Sequence, residues 1–251
     1  MIRALILLLM LPLGAMAEEV VLGLSRDQVA ITATFEGDDI LVFGAVRREA
    51  PVPEGPPLEV IVTVAGPDRP VIVRKKDRRL GIWVNTEAIE VDSAPSFYAV
   101  TTTGPLNEIL MRTEDLRHRI SIPRAIRSVG APAEIADPAA FTRALIRIRR
   151  GEQLYQSLEG AVDLERDTLF RTEVDLPANL TEGDYEIRIF LTRGGRVVDN
   201  YTTTIPVQKV GLERWLYTLA HERPLIYGLM SLALAIGAGW AASATFRAFR
   251  A

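Results

Sequence analysis

Phe170 to Thr192 reads FRTEVDLPANLTEGDYEIRIFLT, and the fold turns on this stretch. Phe170, Thr172, Val174 and Leu176 alternate with Arg171, Glu173 and Asp175. Tyr185, Ile187, Ile189 and Leu191 then alternate with Glu186, Arg188 and Thr192. A period of two sends one set to each face of a strand, so two successive strands with one apolar face are expected. Gly194-Gly195 follows as a two-residue hairpin turn, because glycine accepts the positive φ such turns need.

Working outward, Leu180-Thr181-Glu182-Gly183-Asp184-Tyr185 resembles the entry to an immunoglobulin-type strand, where a tyrosine hydroxyl bonds back to upstream backbone. Toward the N-terminus, Val29, Ile31, Ala33 and Phe35 alternate with Thr32, Thr34 and Glu36. The turn Gly37-Asp38-Asp39 then leads into Ile40-Leu41-Val42-Phe43. Pro51 to Pro57 is a proline-rich connection. Leu58 to Ala65, Val71 to Val73, Ile82 to Val84 and Phe97 to Thr103 are further strand-like runs. Short strands separated by turn signals imply a mainly β protein, an antiparallel β-sandwich of immunoglobulin-like type. The β regions are read as 18–104 and 154–209.

Between them, 105–153 is a helical connecting segment broken at Pro123, Pro132 and Pro138. Asp137-Pro138 is a good N-cap and first-turn pair. Phe141, Leu145 and Ile148 form an apolar stripe at helical spacing, with Arg143, Arg147 and Arg150 on another face. That basic stripe reads either as solvated arginines or as an anion-binding face.

The whole chain has 251 residues, no cysteine, a net charge of -3 and a mean hydropathy of +0.15. The missing cysteines exclude disulfides, thiolate catalysis and zinc ribbons. Two histidines, His118 and His221, exclude a multi-histidine metal site within the chain. The charge gives no support for a nucleic-acid binder. The positive hydropathy comes from the ends. Met1-Ile2-Arg3, the apolar run Ala4 to Leu13 and Ala15-Met16-Ala17 have the three parts of a signal peptide over 1–17. No charged residue occurs from Pro224 to Phe246, and a helix of about 23 × 1.5 Å, or ~34 Å, would cross a hydrocarbon core of ~30 Å.

These segments predict an exported body, one C-terminal transmembrane helix (224–246) and a cytoplasmic tail (247–251) in a plasma membrane. Before the span, 210–223 is expected to be a juxtamembrane helix. Leu212, Trp215, Leu216 and Leu219 share a face there, and Trp215, Tyr217 and Tyr227 suit a membrane interface.

Catalytic signals are sparse. No nucleophile elbow, P-loop or dinucleotide fingerprint occurs in the required setting. His221-Glu222 lacks the second histidine of a zincin helix. Asp163, Glu165 and Asp167 alternate, but Thr168 and Val174 stand where a calcium loop needs glycine and glutamate. No metal or other cofactor is expected. Asn179-Leu180-Thr181 and Asn200-Tyr201-Thr202 match glycosylation sequons.

Two candidate interaction features remain. Arg74, Lys75, Lys76, Arg78 and Arg79 surround Asp77 between two apolar runs, as the tip of a hairpin. The tip is either a solvated turn or a site for an anion or lipid headgroup. In the apolar C-terminal segment, Ala233, Gly237 and Ala241 repeat every four residues, as do Ala235, Gly239 and Ser243. Small residues at this spacing let a second helix approach closely in lipid.

Gly81-Ile-Trp-Val-Asn85, Pro95-Ser-Phe-Tyr98, Gly183-Asp-Tyr185 and Pro224-Leu-Ile-Tyr-Gly228 through Gly239-Trp240 resemble a family of single-pass transmembrane proteins from alphaproteobacteria, the Alph_Pro_TM type. The resemblance implies an inner-membrane protein with a periplasmic β-rich region and carries over no catalytic residue. It also implies a place near exporters of the sulfite or organosulfonate type. From the sparse catalytic signals, the small-residue helix face and the basic hairpin, the expected function is a membrane-anchored periplasmic accessory or binding protein. Its expected partners are the bilayer and either an integral-membrane transporter or a second copy through the helix. The alternative is a tethered periplasmic enzyme using Asp163, Glu165 and Asp167. A sensor of anionic ligands fits less well, because few residues follow Phe246.

Overall fold

The computed structural model describes residues 18–24, 29–31, 37–48, 55–129, 135, 137–209 and 212–248. The expected signal peptide and the end of the tail lie outside them. The elements are β1 (Glu18–Leu24), β2 (Val29–Ile31), β3 (Gly37–Arg48), β4 (Leu58–Ala65), β5 (Asp68–Arg79), β6 (Ile82–Pro95) and β7 (Tyr98–Thr102). Four helices follow: α1 (Leu106–Ile109), α2 (Arg112–His118), α3 (Ile122–Ala125) and α4 (Pro138–Gly151). Then come β8 (Tyr155–Glu159), β9 (Asp163–Glu165), β10 (Leu169–Pro177), β11 (Gly183–Arg193) and β12 (Arg196–Lys209). Two helices, α5 (Leu212–Glu222) and α6 (Pro224–Ala248), close the described chain.

The body is mainly β. One sheet has the order β1-β3-β10-β9, a second has β2-β12-β11-β4-β7-β8, and β5-β6 form a separate pair. The alternation that opened the sequence reading is realised in β10, where Phe170, Thr172, Val174 and Leu176 are buried and their neighbours exposed. Phe170, Val174 and Leu176 join one hydrophobic core with Ile40, Val42, Val60, Val62, Ile187 and Ile189. Both large sheets draw strands from both β regions, since β3 pairs with β10 and β4 with β11.

The second sheet is buried on two sides at its centre, where Val60, Ile61, Val62, Thr63 and Val64 are all inaccessible. Val60, Val62 and Val64 lie beside Leu191, Ile189 and Ile187, while Ile61 and Thr63 lie beside Phe190 and Arg188. The α1–α3 segment covers the latter side. There the Tyr98 hydroxyl donates to Ile120 O at 2.7 Å, and burial pushes that hydroxyl up to about 12. Arg188 donates to His118 O at 2.8 Å and holds its guanidinium 5.4 Å from the Phe190 ring centre.

Several expectations change in detail. The sheets are not wholly antiparallel, because β2 runs parallel to β12 and β7 parallel to β8. A parallel pair needs a crossover connection, and the helical segment between β7 and β8 supplies it. Gly37-Asp38-Asp39 is not a turn but the start of β3, paired with Pro177, Leu176 and Asp175. The chain has changed sheets by then, since β2 belongs to the second sheet and β3 to the first.

Other expectations hold. The Asp137 side chain caps α4 by accepting from Ala140 N at 3.1 Å. Gly194 and Gly195 turn with φ of 53° and 78°. Gly195 O accepts from Met111 N at 2.8 Å, which seats this hairpin at the start of α2. The Tyr185 hydroxyl donates to Thr181 O at 2.9 Å, closing the corner read from Leu180 to Tyr185.

At the C-terminus α6 is 25 residues long. Leu225, Leu229, Leu232, Leu234, Ile236 and Trp240 stand exposed on it. Among the described residues no helix is long and apolar enough to cross a membrane. The side chains of α6 are described over 224–240 and 242–243 only.

Candidate functional site

The clearest surface feature is the β5-β6 pair, a finger that leaves the body. Val73 on β5 and Ile89 and Val91 on β6 are buried at its base, and α4 buries Phe141 and Leu145 nearby. Between β5 and α4 runs an open groove of about 680 Å³, lined by Val73, Lys75, Phe141, Arg147 and Ile148 among others. Beyond Val73 every β5 side chain is exposed. Seven residues at about 3.3 Å each carry the strand roughly 23 Å out to Leu80.

The basic residues do not form the tip, as the sequence reading had it. Arg74 to Arg79 are strand residues paired with Ala88 to Ile82, and the turn is Leu80-Gly81. Charged side chains can stay in a two-stranded ladder because both of its faces meet water here, so no apolar pattern is needed to hold them. Arg78 stands opposite Trp83 and Arg79 opposite Ile82.

Leu80 and Gly81 have φ of 50° and 87°, the doubly left-handed pattern of a tight hairpin turn. Asparagine, aspartate or glycine is favoured at such positions, and leucine is costly there. Leu80 is nevertheless fully exposed, at 105% of its reference area, while Ile82 is 65% and Trp83 68% exposed. The finger therefore ends in Leu80 at the turn, with exposed Ile82 and Trp83 level with Arg79 and Arg78 on the facing strand.

Part of its charge is internally compensated. Lys75 Nζ lies 2.9 Å from Glu87 Oε1, and that hydrogen bond and charge raise the lysine above its ordinary value. Asp77 accepts from Arg78 N at 2.8 Å and lies 3.9 Å from Arg79 Nε. Among the described residues no carboxylate lies within ion-pair distance of Arg74 or Lys76. Of the α4 stripe, Arg143 is paired with Asp137 at 2.6 Å, and Arg147 lines the groove. Two basic stripes from distant parts of the sequence thus flank one groove.

The carboxylates considered for catalysis are arranged differently. Asp163 and Glu165 lie on the edge strand β9, and Asp163 is paired with Arg171 at 3.1 Å. Asp167 sits in the following turn with φ of 53°. Elsewhere on that sheet, a hydrogen bond to Asp39 and repulsion from the same carboxylate push Glu173 up, a pairing the sequence pattern did not single out. On α6, a Cβ added at Gly237 or Gly239 would meet nothing within 4 Å, so that surface of the helix is open.

Two mainly antiparallel sheets, a helical crossover, a basic finger and a 25-residue C-terminal helix define a β-rich body followed by a helix. The chain belongs to the family described as "Putative transmembrane protein (Alph_Pro_TM)", which matches residues 19–248. The match runs from β1 through α6 and is to the family that the Gly81–Asn85 and Pro224–Trp240 motifs resemble. No curated protein matches the chain.

Proposed function

We propose that this protein is a single-pass, membrane-anchored accessory whose β-rich body works outside the cytoplasm beside an integral-membrane partner, a transporter being the first candidate. The observation that supports this most is α6. Its Leu225, Leu229, Leu232, Leu234, Ile236 and Trp240 are exposed and no charged residue occurs from Pro224 to Phe246, a pattern that few helices in water show. In lipid the same helix is satisfied, since all its backbone groups bond within the segment. Residues 1–17 act as the leader, α6 stops transfer and 247–251 stay cytoplasmic. The body is immunoglobulin-like in this reading, on the strength of the Tyr185 corner. In α6, Ala233, Ala235, Gly237, Gly239, Ala241 and Ser243 form the surface that a neighbouring helix packs on.

The enzyme reading has less support. The Asp163 charge is matched by Arg171, and Glu173 and Asp39 sit together on an open strand face.

Alkaline carbonate should leave the protein in the membrane pellet, and its release would remove the anchor. Purification from gently solubilised membranes should bring down a stoichiometric membrane partner or a self-dimer. Gly237→Leu with Gly239→Leu should lower that recovery several-fold. Recovery of the protein alone in several mild detergents would overturn the partnership.

A further inference from the structure

We infer that the β5-β6 finger is a second membrane contact, which seats Leu80, Ile82 and Trp83 in the interfacial region of an anionic bilayer with Arg78 and Arg79 among the headgroups. This rests on the reading of α6 as an anchor, which keeps the body within reach of a bilayer surface.

Three observations carry it. The first is placement: the exposed leucine, isoleucine and tryptophan lie at the far end of a hairpin that extends roughly 23 Å beyond its last buried β5 residue. They stabilise no core there, and exposed apolar side chains gathered at the end of a charged projection mark a binding surface. The second is the turn itself. Leu80 occupies a left-handed position that asparagine or glycine would fill more easily, so the leucine weakens the turn and gives the fold nothing in return. The third is charge. A chain of net charge -3 concentrates five basic residues around one acid on this strand, and among the described residues no carboxylate is within ion-pair distance of Arg74 or Lys76.

Leu80 at the turn, with Ile82 and Trp83 level with Arg79 and Arg78, puts apolar and basic side chains together, as the boundary between acyl chains and anionic headgroups requires. Tryptophan is favoured at that depth, and each basic group near the surface strengthens partitioning roughly fivefold. The bilayer is preferred to a protein surface because the tip is convex. A docking protein would need a cavity shaped to it, whereas a bilayer closes around any convex apolar end.

Intrinsic tryptophan fluorescence tests this, since the chain has three tryptophans, Trp83, Trp215 and Trp240. The full chain with Trp215→Phe and Trp240→Phe reports the finger, and the full chain with Trp83→Phe and Trp215→Phe reports the anchor. Each is reconstituted into vesicles of zwitterionic lipid alone or mixed with phosphatidylglycerol, with and without brominated acyl chains. Trp83 should shift to the blue and be quenched in the anionic vesicles. Replacing both Arg78→Gln and Arg79→Gln should reduce the docking equilibrium constant roughly 25-fold, at about fivefold per charge. Leu80→Asn should reduce quenching without lowering the unfolding midpoint, which separates docking from folding.

Quenched Trp240 with water-exposed Trp83 in both lipids would overturn the finger contact and leave the anchor standing. Unquenched Trp240 would overturn the anchor. Equal quenching of Trp83 in both lipids would overturn the role of the basic band. Shielding of Trp83 only with a co-reconstituted membrane protein would overturn the bilayer in favour of a protein partner.

Discussion

Glu18 ties the two large sheets together. Its carboxylate takes Arg48 Nε from β3 at 2.8 Å and Arg193 from β11 at 2.8 Å, and its side chain is 7% exposed. Burial opposes ionisation, yet the hydrogen bonds and charges of Arg193 and Arg48 outweigh it and hold the carboxyl below its ordinary value of 4.5. A group with a lowered folded value contributes its full stability above the unfolded value and loses it as pH falls through the folded one. Glu18→Gln should therefore cost about 1–3 kcal/mol near neutrality, the scale of hydrogen bonds to charged groups. The gap between variant and native protein should narrow below pH 4.5. Urea melts at neutral and acidic pH would check this, and a constant gap would show that the clamp is not electrostatic. Arg188 is a second tie. It donates to His118 O, Arg119 O and the Tyr98 hydroxyl, and its Nε lies 3.3 Å from Glu186. Strand alternation put it on the face opposite the apolar one, and alternation cannot tell water from a second covering layer.

At the scale of elements, what was legible in the sequence depended on whether one face of an element meets water. β10 shows its period plainly, since Arg171, Glu173 and Asp175 are exposed opposite buried Phe170, Thr172, Val174 and Leu176. β8, of sequence YQSLE, escaped notice because it lies at a sheet edge with only Tyr155 fully buried. The finger was half legible. Val71 to Val73 and Ile82 to Val84 announced a hairpin, but its length rests on backbone pairing through charged residues that no apolar pattern reveals. The convergence of Lys75 and Arg147 on one groove was out of reach, because it depends on how α4 is set beside β5. That setting is testable. Phe141→Ala removes a ring that is 5% exposed, and it should destabilise the body by about 3–5 kcal/mol in chemical denaturation. A loss well below 1 kcal/mol would mean that α4 is only loosely attached.

For the molecule as a whole, the division into 18–104 and 154–209 describes the chain in sequence but not in space. β1 and β3 meet β9 and β10 in one sheet, and β4 and β7 meet β8, β11 and β12 in the other. Neither segment holds a closed sheet without the other. A chain ending at residue 153 would leave β3 without β10 and β4 without β11. It should show no cooperative unfolding transition by circular dichroism, and a sharp transition would mean that the first segment folds alone.

This interleaving has a kinetic consequence. Pairs such as Arg171 with Phe43, or Ile189 with Val62, close loops of more than a hundred residues. Such distant pairings slow folding, because loop entropy is lost before the contacts form. During synthesis the first β segment waits for β10 and β11, and only its local pairs, such as the finger, can form early. The apolar strand β4 is then the part most exposed to mispairing. A holding chaperone bound before residue 193 has emerged would be the natural companion of this fold's assembly.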